Sequence, residues 1–240
     1  MCTVSWVHQP DGYHLLCNRD EKRTRGTAFA PRAVMCGGVR YIAPVDSDGG
    51  GTWLSANEFG LSLCLLNGNA GLQTPGAGRS RGLLVGELAW APCARECALR
   101  LWQFDLGAYA PFSLVILQPR QSAILAQWDG RELTIDPAAD RHMPLTSSSC
   151  DAEGVRRSRL NEFARRVPMA RSFDPALLYW FHSSHGEAPD AYSPCMHRAD
   201  AETVSFSWVV VSRDSIRFLY SPGAPCQSRP CEQQILVRAA

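Results

Sequence analysis

Met1-Cys2-Thr3-Val4-Ser5-Trp6-Val7-His8, Gln9-Pro10-Asp11, Gly12-Tyr13-His14-Leu15-Leu16-Cys17 and then Asn18-Arg19-Asp20-Glu21: the fold of this chain turns on its first 21 residues. Thr3 to His8 alternates small polar and apolar residues, and Gly12 to Cys17 is a second strand-like run after a Pro-Asp-Gly turn. That pattern predicts an N-terminal β-hairpin. Paired strands lie about 4.8 Å apart, so the end of the second strand returns beside Cys2. Asp20 then stands where it can accept from the Cys2 nitrogen, Arg19 where it can stabilise a thiolate or a substrate carboxylate, and Asn18 where it can donate to a carbonyl. Successive strand residues point to opposite faces. Arg19 and Asp20 therefore enter one site only if a bulge or turn begins there.

Downstream, Lys22 to about Gly51 is rich in Gly, Pro and Arg and reads as loop with one short strand at Val39–Ile42. Gly49-Gly50-Gly51 leads into Thr52–Ser55, a turn at Asn57–Gly60 and the apolar run Leu61–Leu66, a second hairpin that ends at Asn67-Gly68-Asn69. Gly71 to Arg81 reads as a linker inside one domain rather than a boundary. Leu83–Trp90 and Ala94–Phe104 read as helices, with Pro92 near the first position of the second. Phe112–Gln118 and Ala123–Trp128 are apolar strands, and Leu133–Ile135 adds a third. Asp151–Val167 is an amphipathic helix with a capping-box-like start at Ser149–Glu153, and Pro175–His182 is a shorter one. Thr203–Ser212 and Ile216–Tyr220 form a C-terminal hairpin. Strands, helices, strands, helices, strands is the order of an α+β layered domain over residues 1–240, not of a doubly wound parallel sheet. Two antiparallel sheets packed face to face with helices outside accommodate it.

Composition narrows the function. The net charge is +1, and Lys22 is the sole lysine; no basic stripe follows a phosphate backbone, so nucleic acid is not an expected partner. No stretch reaches the roughly 18 uninterrupted apolar residues of a membrane span. There are ten cysteines, but the N-terminus lacks the basic and apolar regions of a signal peptide, so they are expected to be reduced thiols in a cytoplasmic protein. Neither a cofactor nor a metal is expected. Cys93 and Cys97 have i, i+4 spacing without the second short-spaced pair of a zinc site, and Cys226 and Cys231 are remote from them. His182, His185, Cys195 and His197 are irregularly spaced and read as loop and packing residues. The sequence carries no signal for oligomeric state.

Methionine is normally removed before a small second residue, and cysteine qualifies. The chain would then start with Cys2, its thiol and α-amine on one residue, with reference pKa values of about 8.5 and about 7.7–8.0. The amine can take the thiol proton without a histidine.

Met1-Cys2, the Asn18-Arg19-Asp20-Glu21 string, Gly50-Gly51-Thr52-Trp53-Leu54, Leu66-Asn67 and Arg79-Ser80-Arg81-Gly82 resemble the NRDE family, also called the transport and Golgi organisation 2 family. The resemblance is specific over residues 1–90 and looser through Thr203-Val204-Ser205. It implies a relative of the choloylglycine and penicillin V acylase hydrolases, with the N-terminal-nucleophile αββα sandwich of two antiparallel sheets flanked by helices. On that resemblance Cys2 is the nucleophile, Asp20 orients its α-amine and Asn67 supplies part of an oxyanion hole. The acylases place an arginine three residues before the aspartate, whereas Arg19 is adjacent to it. Their second oxyanion asparagine corresponds to Leu145–Ser149, which has none, so Ser147 and its neighbours are shorter substitutes. Arg198 stands for their late arginine. The implied activity is hydrolysis of a non-peptide C–N bond, an amide of a small metabolite or lipid. The alternative is a non-catalytic binding or trafficking module that handles lipid or haem.

Overall fold

In the computed structural model, which describes residues 2–68, 78–168 and 173–239, the opening hairpin forms as its alternation requires. Strands β1 (Cys2–Gln9) and β2 (Gly12–Lys22) pair antiparallel, with Val4 opposite Cys17 and Cys2 opposite Arg19. Val4, Trp6, Tyr13, Leu15 and Cys17 enter one core. Val7 and Leu16 enter another, on the opposite face. Burial on both faces makes this hairpin interior rather than edge. The second strand runs past Cys17 through the Asn18–Glu21 string, because its other neighbour, β11 (Ala201–Val211), continues the ladder to Ala201 opposite Lys22. The irregularity that falls here is in β11, between Thr203 and Ser205. The alternation of β2 therefore persists, and Arg19 and Asp20 lie on opposite faces.

The first sheet runs β10 (Leu145–Ser147), β1, β2, β11, β12 (Ser215–Ser221), β13 (Glu232–Val237). The second runs in chain order: β3 (Phe29–Cys36), β4 (Val39–Val45), β5 (Leu54–Asn57), β6 (Ser62–Asn67), β7 (Phe112–Leu117), β8 (Ile124–Trp128), β9 (Leu133–Asp136). All pairings are antiparallel. Between the sheets lies the core that holds Cys2, Trp6, Trp53, Leu54, Leu125 and Phe218. Helices α1 (Arg81–Leu88) and α2 (Ala94–Leu101) cover the outer face of the second sheet, with Leu84, Leu88, Cys97 and Leu101 against Leu63, Leu65, Leu114 and Ile116. Helices α3 (Ala152–Arg166) and α4 (Pro175–His182) cover the first, where Leu178 and Phe181 meet Val7, Leu16 and Phe206 and Phe163 packs beside them. The layers are helix, sheet, sheet, helix. Among the described residues no helix is long and apolar enough to cross a membrane.

Three strands depart from the sequence reading: β3, which falls in the segment read as loop, β10 and β13. Each is the last strand of its sheet. An edge strand has water on part of its surface and shows little hydrophobic alternation; Phe29, Met35, Ile235 and Val237 are exposed. Pro31 inside β3 is tolerated there because an edge strand can spare one ladder donor. Most of the Gly71–Arg81 linker lies outside the described residues.

The Gly50-Gly51-Thr52 and Arg81-Gly82 motifs meet backbone to backbone. Thr52 N–H donates to Gly82 O at 3.0 Å. A Cβ on Gly51 would lie 2.3 Å from the Gly82 carbonyl carbon and 2.5 Å from Leu83 N. Only two residues without side chains let the start of α1 approach the lead-in to β5 so closely. Gly51→Ala is expected to destabilise the fold by about 1–3 kcal/mol, the usual cost of overpacking. Gly86→Ala, on α1 with nothing within 4 Å, should be neutral or stabilising, since alanine is the better helix former by roughly 1 kcal/mol. Thermal melts of the two variants check this; equal shifts would show that the contact imposes no constraint.

Candidate active site

Cys2 sits between two partners at the end of β1: Ser147 of β10 on one side and Arg19 of β2 on the other. Its backbone nitrogen donates to Ser147 Oγ at 3.0 Å. Its side chain turns into the intersheet core, 6% exposed, where it hydrogen-bonds Cys17, which in turn bonds Cys64. The bond to Cys17 and then burial push the Cys2 thiol well above its ordinary pKa, against the pull of the ammonium at the chain start.

Arg19 points to the same face as Cys2. Its guanidinium lies 4.4 Å from the Trp53 ring centroid, pairs with Asp46 and approaches Glu21 at 3.5 Å. Asp46 also accepts from Arg25 at 2.8 and 2.9 Å and from Gly49 N–H at 2.6 Å. Burial alone would raise the Asp46 carboxyl, but the bonds from Arg25 and Gly49 and the charge of Arg19 hold it below the usual carboxylate range. Arg19, Asp46 and Trp53 form one wall of a cleft of about 790 Å³, and Asn67 and Arg81 line it too. Burial pushes the Arg81 guanidinium below its ordinary value, while the nearby Cys2 and Glu21 pull it back up. Arg81 Nη1 donates to Pro111 O at 2.8 Å, and among the described residues no carboxylate lies in ion-pair reach of it. Cys2 is not itself among the residues that line the cleft; Arg19, its partner across the β1–β2 ladder, and Arg81, on which its charge acts, are. A second, apolar groove of about 570 Å³, with Val34, Ala43, Trp90 and Phe104 in its lining, shares Gly51, Thr52, Gly82 and Leu83 with the cleft.

The other residues of the Asn-Arg-Asp string face the opposite way. Asn18 Nδ2 donates to the carbonyls of His182 and Pro194, both at 2.8 Å. Asp20 is wholly buried; its carboxylate accepts from Thr203 Oγ1 at 2.7 Å and from both terminal nitrogens of Arg159 at 3.3 and 3.4 Å. It remains close enough for its charge to act on Cys2. Asn67 lines the cleft, but its place in β6 puts it on the side of Leu65, under α1, while Cys64 and Leu66 face the core of Cys2. Arg198 is outside the cleft: it grips Asp200 through two nitrogens at 2.8 and 2.9 Å and donates to Cys150 Sγ at 3.3 Å. Two residues the sequence reading gave no role are central, Arg81 and Arg159. The first stands in the Arg79-Ser80-Arg81-Gly82 string, a signal that was in view. The second is a helix residue buried to 1% with no local pattern to mark it.

Two antiparallel sheets face to face with a helical layer outside each make the αββα sandwich of the N-terminal-nucleophile hydrolase fold. Solved structures with the same fold include penicillin V acylase from Agrobacterium tumefaciens (TM-score 0.52, 10% identity, covering 92% of this chain and 83% of that one). Others are a Caenorhabditis elegans N-acylethanolamine-hydrolyzing acid amidase ortholog (0.58, 11%, 87% and 92%) and a mutant conjugated bile acid hydrolase from Clostridium perfringens (0.54, 13%, 100% and 97%). The chain belongs to the transport and Golgi organisation 2 family, which it matches over residues 1–157. No curated protein sequence matches it.

The raised thiol pKa has a measurable sign. With Met1 in place, little Cys2 thiolate exists at pH 7, and its alkylation should rise about tenfold per pH unit towards the raised value, since the thiolate is the nucleophile. Peptide mapping after limited iodoacetamide at pH 7 should find the exposed Cys36 and Cys231 labelled before Cys2. Early labelling of Cys2 in the unprocessed chain would contradict the thiol's burial.

Proposed function

We propose that the protein is a cysteine N-terminal-nucleophile amidohydrolase that acts on a small amphiphilic amide once Met1 is removed. The observation that carries this reading is the 3.0 Å contact between the Cys2 nitrogen and Ser147 Oγ, which puts a hydroxyl against the group that would become the free α-amine. The named activities of the structural neighbours, an acylase, an acid amidase and a hydrolase, fit the same chemistry.

In the proposed reaction the α-amine accepts the Cys2 proton, and Sγ attacks the amide carbon. Ser147 holds the amine in place. Asp20, fixed behind it by Arg159 and Thr203, favours the ammonium that results. Arg81, with no carboxylate of its own among the described residues, is the cation that meets the thiolate or the oxyanion; Asn67 lines the cleft from the other face of β6 and can only contact the substrate there. The ammonium returns its proton to the leaving amine, a thioester remains on Cys2, and water attacks it with the amine again as base. The apolar groove that adjoins the cleft suits an acyl chain, and the arginines suit a polar or anionic head. The second reading, a binding module for lipid or haem without chemistry, draws on Ser147 in place of an oxyanion asparagine and on the buried, hydrogen-bonded thiol.

The test compares the processed protein with one that keeps a residue before Cys2. Both should melt alike, since the change is at a chain end. Turnover of a panel of small N-acyl amides and thioesters should fall in the extended protein by roughly 10² to 10⁴, the usual contribution of a general base. Ser147→Ala should slow the processed enzyme while costing only about 0.5–1.5 kcal/mol of stability, one hydrogen bond. Equal turnover in processed and extended proteins would overturn the mechanism. Turnover in neither, with saturable binding of the amides, would favour the binding module.

A further inference from the structure

Away from the cleft, three separate segments bring their metal-ligating side chains to one point. His185 follows the end of α4, Cys195 and His197 lie on the approach to β11, and Cys226 comes from the turn after β12. One ligand atom from each of the four lies within 4.8 Å of all the others. Cys195 Sγ is 3.6 Å and Cys226 Sγ 3.3 Å from His197 Nε2. The rings of His185 and His197 meet edge to face with centroids 5.1 Å apart. His185 Nε2 is buried and, among the described residues, has no hydrogen-bond partner.

A tetrahedral zinc ion with Zn–S of about 2.3 Å and Zn–N of about 2.0–2.1 Å sets its donors roughly 3.3–3.8 Å apart. The two sulfur–nitrogen separations are edges of such a tetrahedron. A thiol–imidazole hydrogen bond would account for one of them. It does not account for two thiols converging on one ring nitrogen while a second imidazole nitrogen is buried in the same small volume without a partner. Two thiolates and two imidazoles gathered this closely are a donor set that suits zinc. We propose that His185, Cys195, His197 and Cys226 bind one zinc ion in a closed, structural site.

Four protein ligands leave no open position, so the ion acts on the fold rather than on a substrate. Each thiol releases its proton on binding, two protons per ion. The ion ties the end of α4, the approach to β11 and the turn after β12 together, directly behind the candidate active site. Cys195 N–H donates to Ser184 O at 3.0 Å, and Met196 N–H donates to Thr203 Oγ1 at 2.8 Å. Thr203 Oγ1 then donates to Asp20 Oδ1 at 2.7 Å.

The experiment uses the full chain, stripped of metal with a chelator under reducing conditions and titrated with cobalt(II), then zinc(II). One equivalent of cobalt should give the strong visible bands of tetrahedral coordination together with thiolate-to-metal charge transfer. One equivalent of zinc should bleach both and raise the melting temperature. Cys226→Ser, in a partly exposed turn, should weaken zinc retention by more than about 100-fold, beyond the upper figure for loss of an outer-shell partner. Cys226→His, which keeps four ligands, should recover a tetrahedral cobalt spectrum, and Cys93→Ser should change nothing. A pale octahedral cobalt spectrum, substoichiometric uptake, or Cys226→Ser behaving as the parent would overturn the site. So would a Cys195–Cys226 disulfide that forms in preference to metal uptake once the reductant is removed. If the serine variant does not fold, the cobalt spectrum of the parent protein decides the question alone.

Discussion

The carboxylate of Asp20 is at zero exposure and the guanidinium of Arg159 at 1%, and the arrangement of the first sheet hangs on their pairing. Two charges in an apolar interior are tolerated only when each is matched and hydrogen-bonded; removing one partner of such a pair typically costs about 3–5 kcal/mol. Arg159 reaches down from α3 to Asp20 on β2 and also donates to Thr3 Oγ1 on β1, while Thr203 on β11 completes the carboxylate. Four elements are thereby held at one depth. Thr3 and Cys2 are neighbours on a strand, so a Thr3 pinned outward turns Cys2 inward. The same alternation turns Arg19 inward when Asp20 is outward. The ion pair on the helical side thus fixes which residues face the sheet interface and the cleft.

This division was legible in the sequence in outline. Both hairpins of the N-terminal half could be read because their strands are interior and their side chains alternate between two buried faces. The rule that Arg19 and Asp20 part company unless a bulge intervenes held, since the register shift falls in β11 rather than in β2. What was not legible is what depends on distant chain. The edge strands β3, β10 and β13 owe their conformation to the strand beside them, not to their own hydrophobic pattern. Arg159 is one arginine among several on a polar helix, and only its depth distinguishes it. The residues around His197 come from three segments whose spacing obeys no short motif, so the sequence showed them as scattered histidines and cysteines. Ser147 was expected as a weaker oxyanion donor, and its bond to the Cys2 nitrogen appears only once β10 is paired with β1.

Charge around Cys2 is arranged more sparingly than the number of arginines suggests. Arg19 and Arg25 are both engaged by Asp46, and both approach Glu21, at 3.5 and 3.9 Å. Two positive and two negative groups leave little net field. Asp20 lies behind, and its negative charge raises the thiol pKa. Arg81 is the cation of the cleft wall held by a carbonyl rather than a carboxylate. A thiol in this setting, hydrogen-bonded to Cys17 and shut into the core, has little intrinsic reason to ionise. What processing changes is the position of the chain-start ammonium, whose pull on the thiol acts from one residue away while Met1 is attached and from Cys2 itself once it is gone. Removal of one residue therefore changes the charge nearest the thiol, while Cys17, the core and Asp20 stay where they are.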